Sequence, residues 1–200
     1  MRTGRSHRPV RVPADMTTTL LLIRHGETDA NVQRRYIGRT DVPLNATGLA
    51  QAAELRAAFS EHRIAAIYHS PYQRTLATAA QLGEELRADE RLAELHFGAW
   101  EALTYDEISE RDHLYSWYDD PWHFAPPGGE TLQQLDLRLS SWLHDILARH
   151  PEQTVAAVSH GGPLRWLLAK YAHRDTTLFH TLRLPPGGHA ILKLSEGDLR

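Results

Sequence analysis

Arg24-His25-Gly26-Glu27 and Ser159-His160-Gly161-Gly162 share one arrangement, a histidine delivered into a glycine turn directly after an apolar run. The runs are Leu20-Leu21-Leu22-Ile23 and Val155-Ala156-Ala157-Val158. Short apolar runs that stop at glycine read as buried strands. In an open parallel sheet, ligands bind at the C-terminal edge of the strands. The duplicated pattern therefore predicts one site built from two strands. Arg74 falls in the first turn of a helix that Ser70-Pro71 is expected to open, with serine as cap and proline in the first turn. Helical side chains lean toward the N-terminus, which would bring its guanidinium to the same edge. Alone, Arg74 reads as a surface salt-bridge residue. Beside Arg24, His25 and His160 it completes a set of two guanidiniums and two imidazoles.

That set suits a phosphoryl group, because arginine presents a planar fork of donors and stays charged. A histidine that attacks phosphorus must be neutral. Its ordinary pKa is ~6.5, and nearby positive charge favours the neutral form. Transfer to the ring would give a phosphohistidine that water then hydrolyses, dividing one hard step into two easier ones. Symmetry leaves open which histidine attacks; the other would donate to a phosphoryl oxygen. The leaving alkoxide needs a proton. Glu94, within Leu92-Ala93-Glu94-Leu95-His96-Phe97-Gly98, is the best candidate, since apolar flanks raise a carboxyl pKa. The same position also reads as a solvated loop glutamate.

The elements that must position these residues follow from periodicity and punctuation. Asn45 is expected to cap a helix to about residue 62, and residues 65–68 form a strand. The helix opened at Ser70-Pro71 runs to about Leu86. An irregular, aromatic-rich section at 92–130 holds a short helix near 105–110. A long helix begins at about Thr131, with Leu132, Leu135, Leu139, Trp142 and Ile146 on one face. A strand at 154–159 and a helix opened by Pro163 follow. The segments 182–184 and 190–194 look like a late antiparallel pair. Alternating strands and helices mean an α/β fold.

The chain has 200 residues, no cysteine and a net charge of −3. Thiol nucleophiles, thiolate metal sites and disulfides are excluded, and a reducing compartment fits. The charge gives no case for nucleic acid or an anionic membrane. No apolar stretch nears the ~20 residues that span a bilayer. A metal hydrolase built on His25, Glu27 and Asp29 lacks a supporting ligand cluster. Residues 1–18 carry Arg2, Arg5, Arg8 and Arg11 against Asp15 alone. They read as a disordered extension without a secretory h-region, with Met16 an alternative start.

The order of blocks resembles the histidine phosphatase, or phosphoglycerate mutase-like, family. They are Arg24-His25-Gly26-Glu27-Thr28 with Asn31, Tyr36-Ile37-Gly38-Arg39-Thr40-Asp41-Val42-Pro43-Leu44 and Ser70-Pro71-Tyr72-Gln73-Arg74-Thr75, then Glu94 to Glu101, Pro127-Gly128-Gly129-Glu130 and Ser159-His160-Gly161-Gly162. The resemblance covers about residues 19–194. It implies a three-layer α/β/α sandwich with a mostly parallel sheet, in one domain over 19–200, with about 95–130 as an irregular cap. His25 is then the nucleophile and Glu94 the proton donor. Arg24, Asn31, Arg74, His160 and Gly161 hold the phosphate, Ile37 and Gly38 are further substrate- or phosphate-binding positions, and no metal or cofactor is needed. A cytoplasmic monomer or homodimer acting on a small phosphomonoester is expected.

Against the mutase pattern, Ile37, Leu95, Phe97 and Tyr105 replace polar or charged substrate contacts, so hydrolysis is preferred to mutase activity. The Phe97-Gly-Ala-Trp100-Glu101 and Trp117…Pro121…Glu130 pattern looks like alpha-ribazole phosphatases of the cobalamin pathway and their broad-specificity relatives. Alternatives are a sugar or phosphoglycerate-type phosphatase, a cofactor-dependent mutase, and a non-catalytic phospho-ligand-binding module. Ala102 departs from the family's glycine after Trp-Glu, which puts the local turn in question. Trp100, Tyr105, Trp117, Tyr118, Trp122 and Phe124 either line a leaving-group pocket or pack the cap.

Overall fold

The computed structural model describes residues 16–199. Strand β1 (Thr18–Arg24) is apolar at successive positions because both its faces are covered. Leu21 and Ile23 enter one core with Leu55 and Phe59, and Leu20 and Leu22 enter a larger one with Trp142 and Ile146. Thr18 belongs to β1 rather than to the extension, and its hydroxyl donates to the His150 carbonyl at 2.8 Å. Residues 1–15 of that extension lie outside the described residues.

After β1, Thr28 caps the single turn α1 (Asp29–Val32) and Asn45 caps α2 (Ala46–Ala58). The chain turns out of α2 at Phe59, which drops into the smaller core, so the helix stops short of residue 62. Strand β2 (Ile64–His69), helix α3 (Gln73–Ala79) and strand β3 (Leu86–Ala88) follow. Helix α3 differs from expectation at both ends. Its N-cap is Tyr72, with no side-chain bond, and Ser70 is used elsewhere. It ends at Ala79 because the chain must turn back for β3 to pair with β2, Leu86 against Ile67.

The segment 95–130, expected as a cap, holds two short helices, α4 (Tyr105–Ser109) and α5 (Leu114–Asp119), the second unanticipated. Helix α6 (Leu132–Arg149) starts at a reciprocal Thr131–Gln134 capping box. Strand β4 (Thr154–Ser159) leads into α7 (Gly161–Leu167), which continues as a π-type turn over Leu168–Ala172. Strand β5 (His189–Leu194) pairs antiparallel with β1. Residues 182–184 form no strand. Instead Leu184 packs in the core, and its carbonyl takes a bond from Arg24.

The sheet order is β3-β2-β4-β1-β5, with only β5 antiparallel. Helices α2 and α3 cover one face and α6 and α7 the other, giving three layers. Register sets the site. Arg24 lies opposite Ser159, and His69 opposite Val158. The residues that follow, His25, His160 and Ser70, therefore leave three adjacent strands at one edge. Among the described residues no helix is long and apolar enough to cross a membrane.

The cap aromatics divide between the two roles. Trp100 and Trp117 are core residues with rings 6.1 Å apart, and the Trp100 indole N–H reaches Asp112 at 2.8 Å. Tyr105 and Tyr118 stay about one-third exposed and line a cavity with Tyr36. Ala102 stands at φ +61°, a left-handed conformation that favours glycine. Its N–H and carbonyl are tied to Tyr36 and Arg35, which hold it there. Ala102→Gly is expected to stabilise the protein by about 1 kcal/mol by removing the Cβ clash. Chemical denaturation would read it; a lowered midpoint at unchanged slope would refute the strain.

Candidate active site

His25 follows β1 almost fully buried, and its Nδ1–H donates to the Gly26 carbonyl at 2.6 Å. The proton is thereby fixed on Nδ1, and Nε2 keeps its lone pair on the ring that lines the cavity. Burial pushes its pKa down to about 3, with Arg24 and then Arg74 adding to the effect. His160 lies beside it, ring centroids 5.1 Å apart at 65°. It is wholly buried, and burial with the Arg74 charge holds its pKa well below the ordinary value.

The two histidines are not equivalent. His160 Nδ1 accepts from Arg74 Nε at 3.3 Å, so its single N–H, on Nε2, goes to the Ser70 hydroxyl at 2.8 Å. The expectation that His160 donates to a phosphoryl oxygen is not met in this geometry, because both ring nitrogens are committed. His160 instead holds Arg74, and Ser70 holds His160 rather than capping α3.

Arg74 is gripped from three sides. Its terminal nitrogens donate to the carbonyls of Thr40 at 2.8 Å and Gly38 at 2.9 Å, and its guanidinium stacks 4.7 Å from the Tyr72 ring centre. Gly38 thus sits behind Arg74 and not against the cavity. Its own N–H is taken by Glu101, whose carboxylate also accepts from the Arg39 amide and the Thr40 hydroxyl. A Cβ at position 38 would collide with the Glu101 carboxylate and the Leu95 carbonyl, which accounts for glycine there.

Arg24 donates to the Leu184 carbonyl at 2.7 Å, while its Nε is buried without a partner. Asn31 turns its side-chain oxygen to Thr28 N–H and hydroxyl, each at 3.0 Å, which leaves its amide N–H groups for the cavity. Ile37 lines the same cavity, and Gly161 borders the adjoining one beside Arg24.

Glu94 is not a solvated loop residue; it is nearly buried on the cavity wall. Its apolar flanks Ala93 and Leu95 go into the core, but its carboxylate accepts the N–H groups of Leu95 at 2.8 Å and Gly162 at 3.1 Å. Arg138 fixes the backbone behind it, donating to the carbonyls of Arg91 and Glu94 while paired with Glu130 at 2.7 Å. Glu130, the acid of the Pro-Gly-Gly-Glu block, therefore positions Glu94.

The cavity enclosed by these groups measures about 150 Å³ and carries a residue the sequence reading missed, Arg165. Its Nε–H donates to the Gly161 carbonyl one turn back at 3.1 Å. The spacing of five from His160 is the signal that marks it, since a side chain one turn into a helix leans back over the first turn. Among the described residues, no cluster of three or more His, Cys, Asp or Glu could hold a metal ion.

The chain as a whole has relatives. Residues 20–200 match the family model of the histidine phosphatase superfamily, branch 1. The chain belongs to this superfamily. This histidine phosphatase is similar to phosphoserine phosphatase 1 of Hydrogenobacter thermophilus, 29% identical over 183 residues that cover 88% of this chain and 87% of that one. It is 38% identical over 174 residues to the bifunctional protein Rv2228c of Mycobacterium tuberculosis, covering 84% of this chain and 48% of that one. It thus spans about half the length of that relative. Among solved structures, the alpha-ribazole phosphatase of Shigella flexneri superposes with a TM-score of 0.78 at 26% identity, over 89% of this chain and 94% of that one. Membership and named phosphatase relatives make the chain a phosphatase.

Proposed function

We propose that this histidine phosphatase hydrolyses small phosphomonoesters without a metal, through a phosphohistidine on His25. The observation that carries the reading is the placement of His25, a buried imidazole whose Nδ1 meets the Gly26 carbonyl, where burial and the two arginines favour the neutral ring. Arg24, Arg74 and the free Asn31 amide offer donors to the phosphoryl oxygens, where charge must be neutralised. His25 Nε2 attacks phosphorus as the bond to the leaving oxygen breaks, and that oxygen takes the proton of Glu94. Water then attacks the phosphohistidine, returns a proton to the Glu94 carboxylate, and frees phosphate and the neutral ring. His160 keeps Arg74 in line throughout.

Hydrolysis of an aryl phosphate in excess EDTA is the direct test. Full turnover is expected. Activity that disappears and returns only with a divalent metal would overturn the reading. Likeness to the Shigella flexneri structure makes alpha-ribazole 5'-phosphate one member of the substrate panel. Ile37, Leu95, Phe97 and Tyr105 support hydrolysis over phosphoglycerate mutase activity.

A further inference from the structure

Past Glu94 the catalytic cavity opens into a second one of about 490 Å³, bordered by Arg24, Glu94, Gly161, Arg165, Arg183 and Pro185. Arg24, Glu94 and Arg165 belong to both. The reaction geometry gives this second space a definite occupant. If Glu94 protonates the leaving oxygen, that oxygen faces Glu94, and the alcohol it belongs to extends beyond it. The first groups met there are guanidiniums.

Arg165 is partly buried, with its guanidinium over the Phe179 ring at 5.1 Å. Apart from the bond of its Nε to Gly161, its donors are unengaged among the described residues, and no carboxylate lies within ion-pair distance of it or of Arg183. Burial lowers its pKa, Glu94 opposes that and Arg183 adds to it. Arg183 is held by its bond to the His180 carbonyl at 3.1 Å and is otherwise exposed. A partly desolvated guanidinium with no carboxylate within ion-pair distance, Glu94 acting on it only from farther off, is costly to maintain. Arg24 and Arg74 face the phosphoryl group, so the charge on Arg165 is surplus to what that group needs. A guanidinium fork with free terminal nitrogens matches a carboxylate or a phosphate.

We infer that the preferred substrates carry a second anionic group, a carboxylate or another phosphate, on the alcohol side of the phosphoester, and that Arg165 and Arg183 receive it. This rests on the phosphatase reading above. It separates the substrate from esters of neutral sugars or nucleosides, which would leave Arg165 unpaired.

The test compares kcat/KM within matched pairs. 3-Phosphoglycerate and glycerol 3-phosphate differ by a carboxylate; glucose 1,6-bisphosphate and glucose 6-phosphate differ by a phosphate. At least a tenfold preference is expected for the doubly anionic member of one pair, and which pair shows it identifies the anion. Arg165→Met should shrink that ratio toward one, mainly through KM. Arg183→Met, at an exposed position, should reduce it in the same direction and serves if the first variant does not fold. Equal rates within both pairs, or variants that slow both members equally, would overturn the subsite while leaving the phosphatase reading intact. Alpha-ribazole 5'-phosphate, lacking a second anion, outrunning every doubly anionic substrate would do the same. Failure to hydrolyse any phosphomonoester would bring down the underlying reading itself.

Discussion

His25→Ala is expected to abolish turnover and the covalent intermediate together, a loss on the order of 10⁴–10⁶-fold as for removal of a nucleophile elsewhere. No neighbour can substitute. His160 has one ring nitrogen against Arg74 and the other against Ser70, and the chain has no cysteine. Quenching the enzyme in base during turnover of labelled substrate and mapping the labelled residue checks the assignment. Label on His160 or on a serine would overturn it. The same buried ring shapes stability. Its folded-state pKa of about 3 lies below the unfolded ~6.5. Above pH 6.5 the ring is neutral in both states and its burial is tolerated. As pH falls from 6.5 toward 3, only the unfolded chain takes up the proton, and stability is lost across that window. His25→Ala should therefore be dead as an enzyme yet less acid-sensitive in thermal melts.

Glu94→Gln should be the next most damaging change, and selectively so. The amide retains an oxygen that can accept from Leu95 and Gly162 but has no acidic proton to give. An alkyl phosphate expels a basic alkoxide that needs that proton; a nitrophenyl phosphate expels a stable anion that does not. General acid catalysis is worth ~10²–10⁴-fold, so a loss of that order is expected on alkyl phosphates and a much smaller one on nitrophenyl phosphate at the phosphorylation step. Dephosphorylation also uses Glu94, so burst kinetics must separate the two steps. Equal burst-rate losses on both substrates would remove Glu94 from the acid role. Glu101, the carboxylate next in line by sequence, is no substitute, because its oxygens are taken up by Gly38, Arg39 and Thr40.

The strand-to-turn pattern at His25 and His160 was legible because both signals are local: an apolar run of fixed length and a glycine that ends it. Their adjacency in register followed from fold class. What could not be read was the wiring between segments. Ser70 looked like a helix cap because serine before proline is a local cue, whereas its partner, His160, lies 90 residues on. Residues 182–184 look like the antiparallel partner of 190–194 by composition, yet that strand, β5, pairs with β1 instead. Gly38 was placed on the phosphate when it carries Arg74, since a motif records that a glycine is needed and not which neighbour crowds it. Arg165 went unnoticed because, in sequence, it is one arginine in an ordinary amphipathic helix.

The bonds from Glu101 to residues 38–40, and from there to Arg74, tie the cap to the sheet edge. The hold on Arg74 therefore depends in part on a carboxylate outside the catalytic cavity. Loss of the Glu101 contacts is expected to loosen the two carbonyls that orient Arg74, leaving it to His160 and the Tyr72 ring alone.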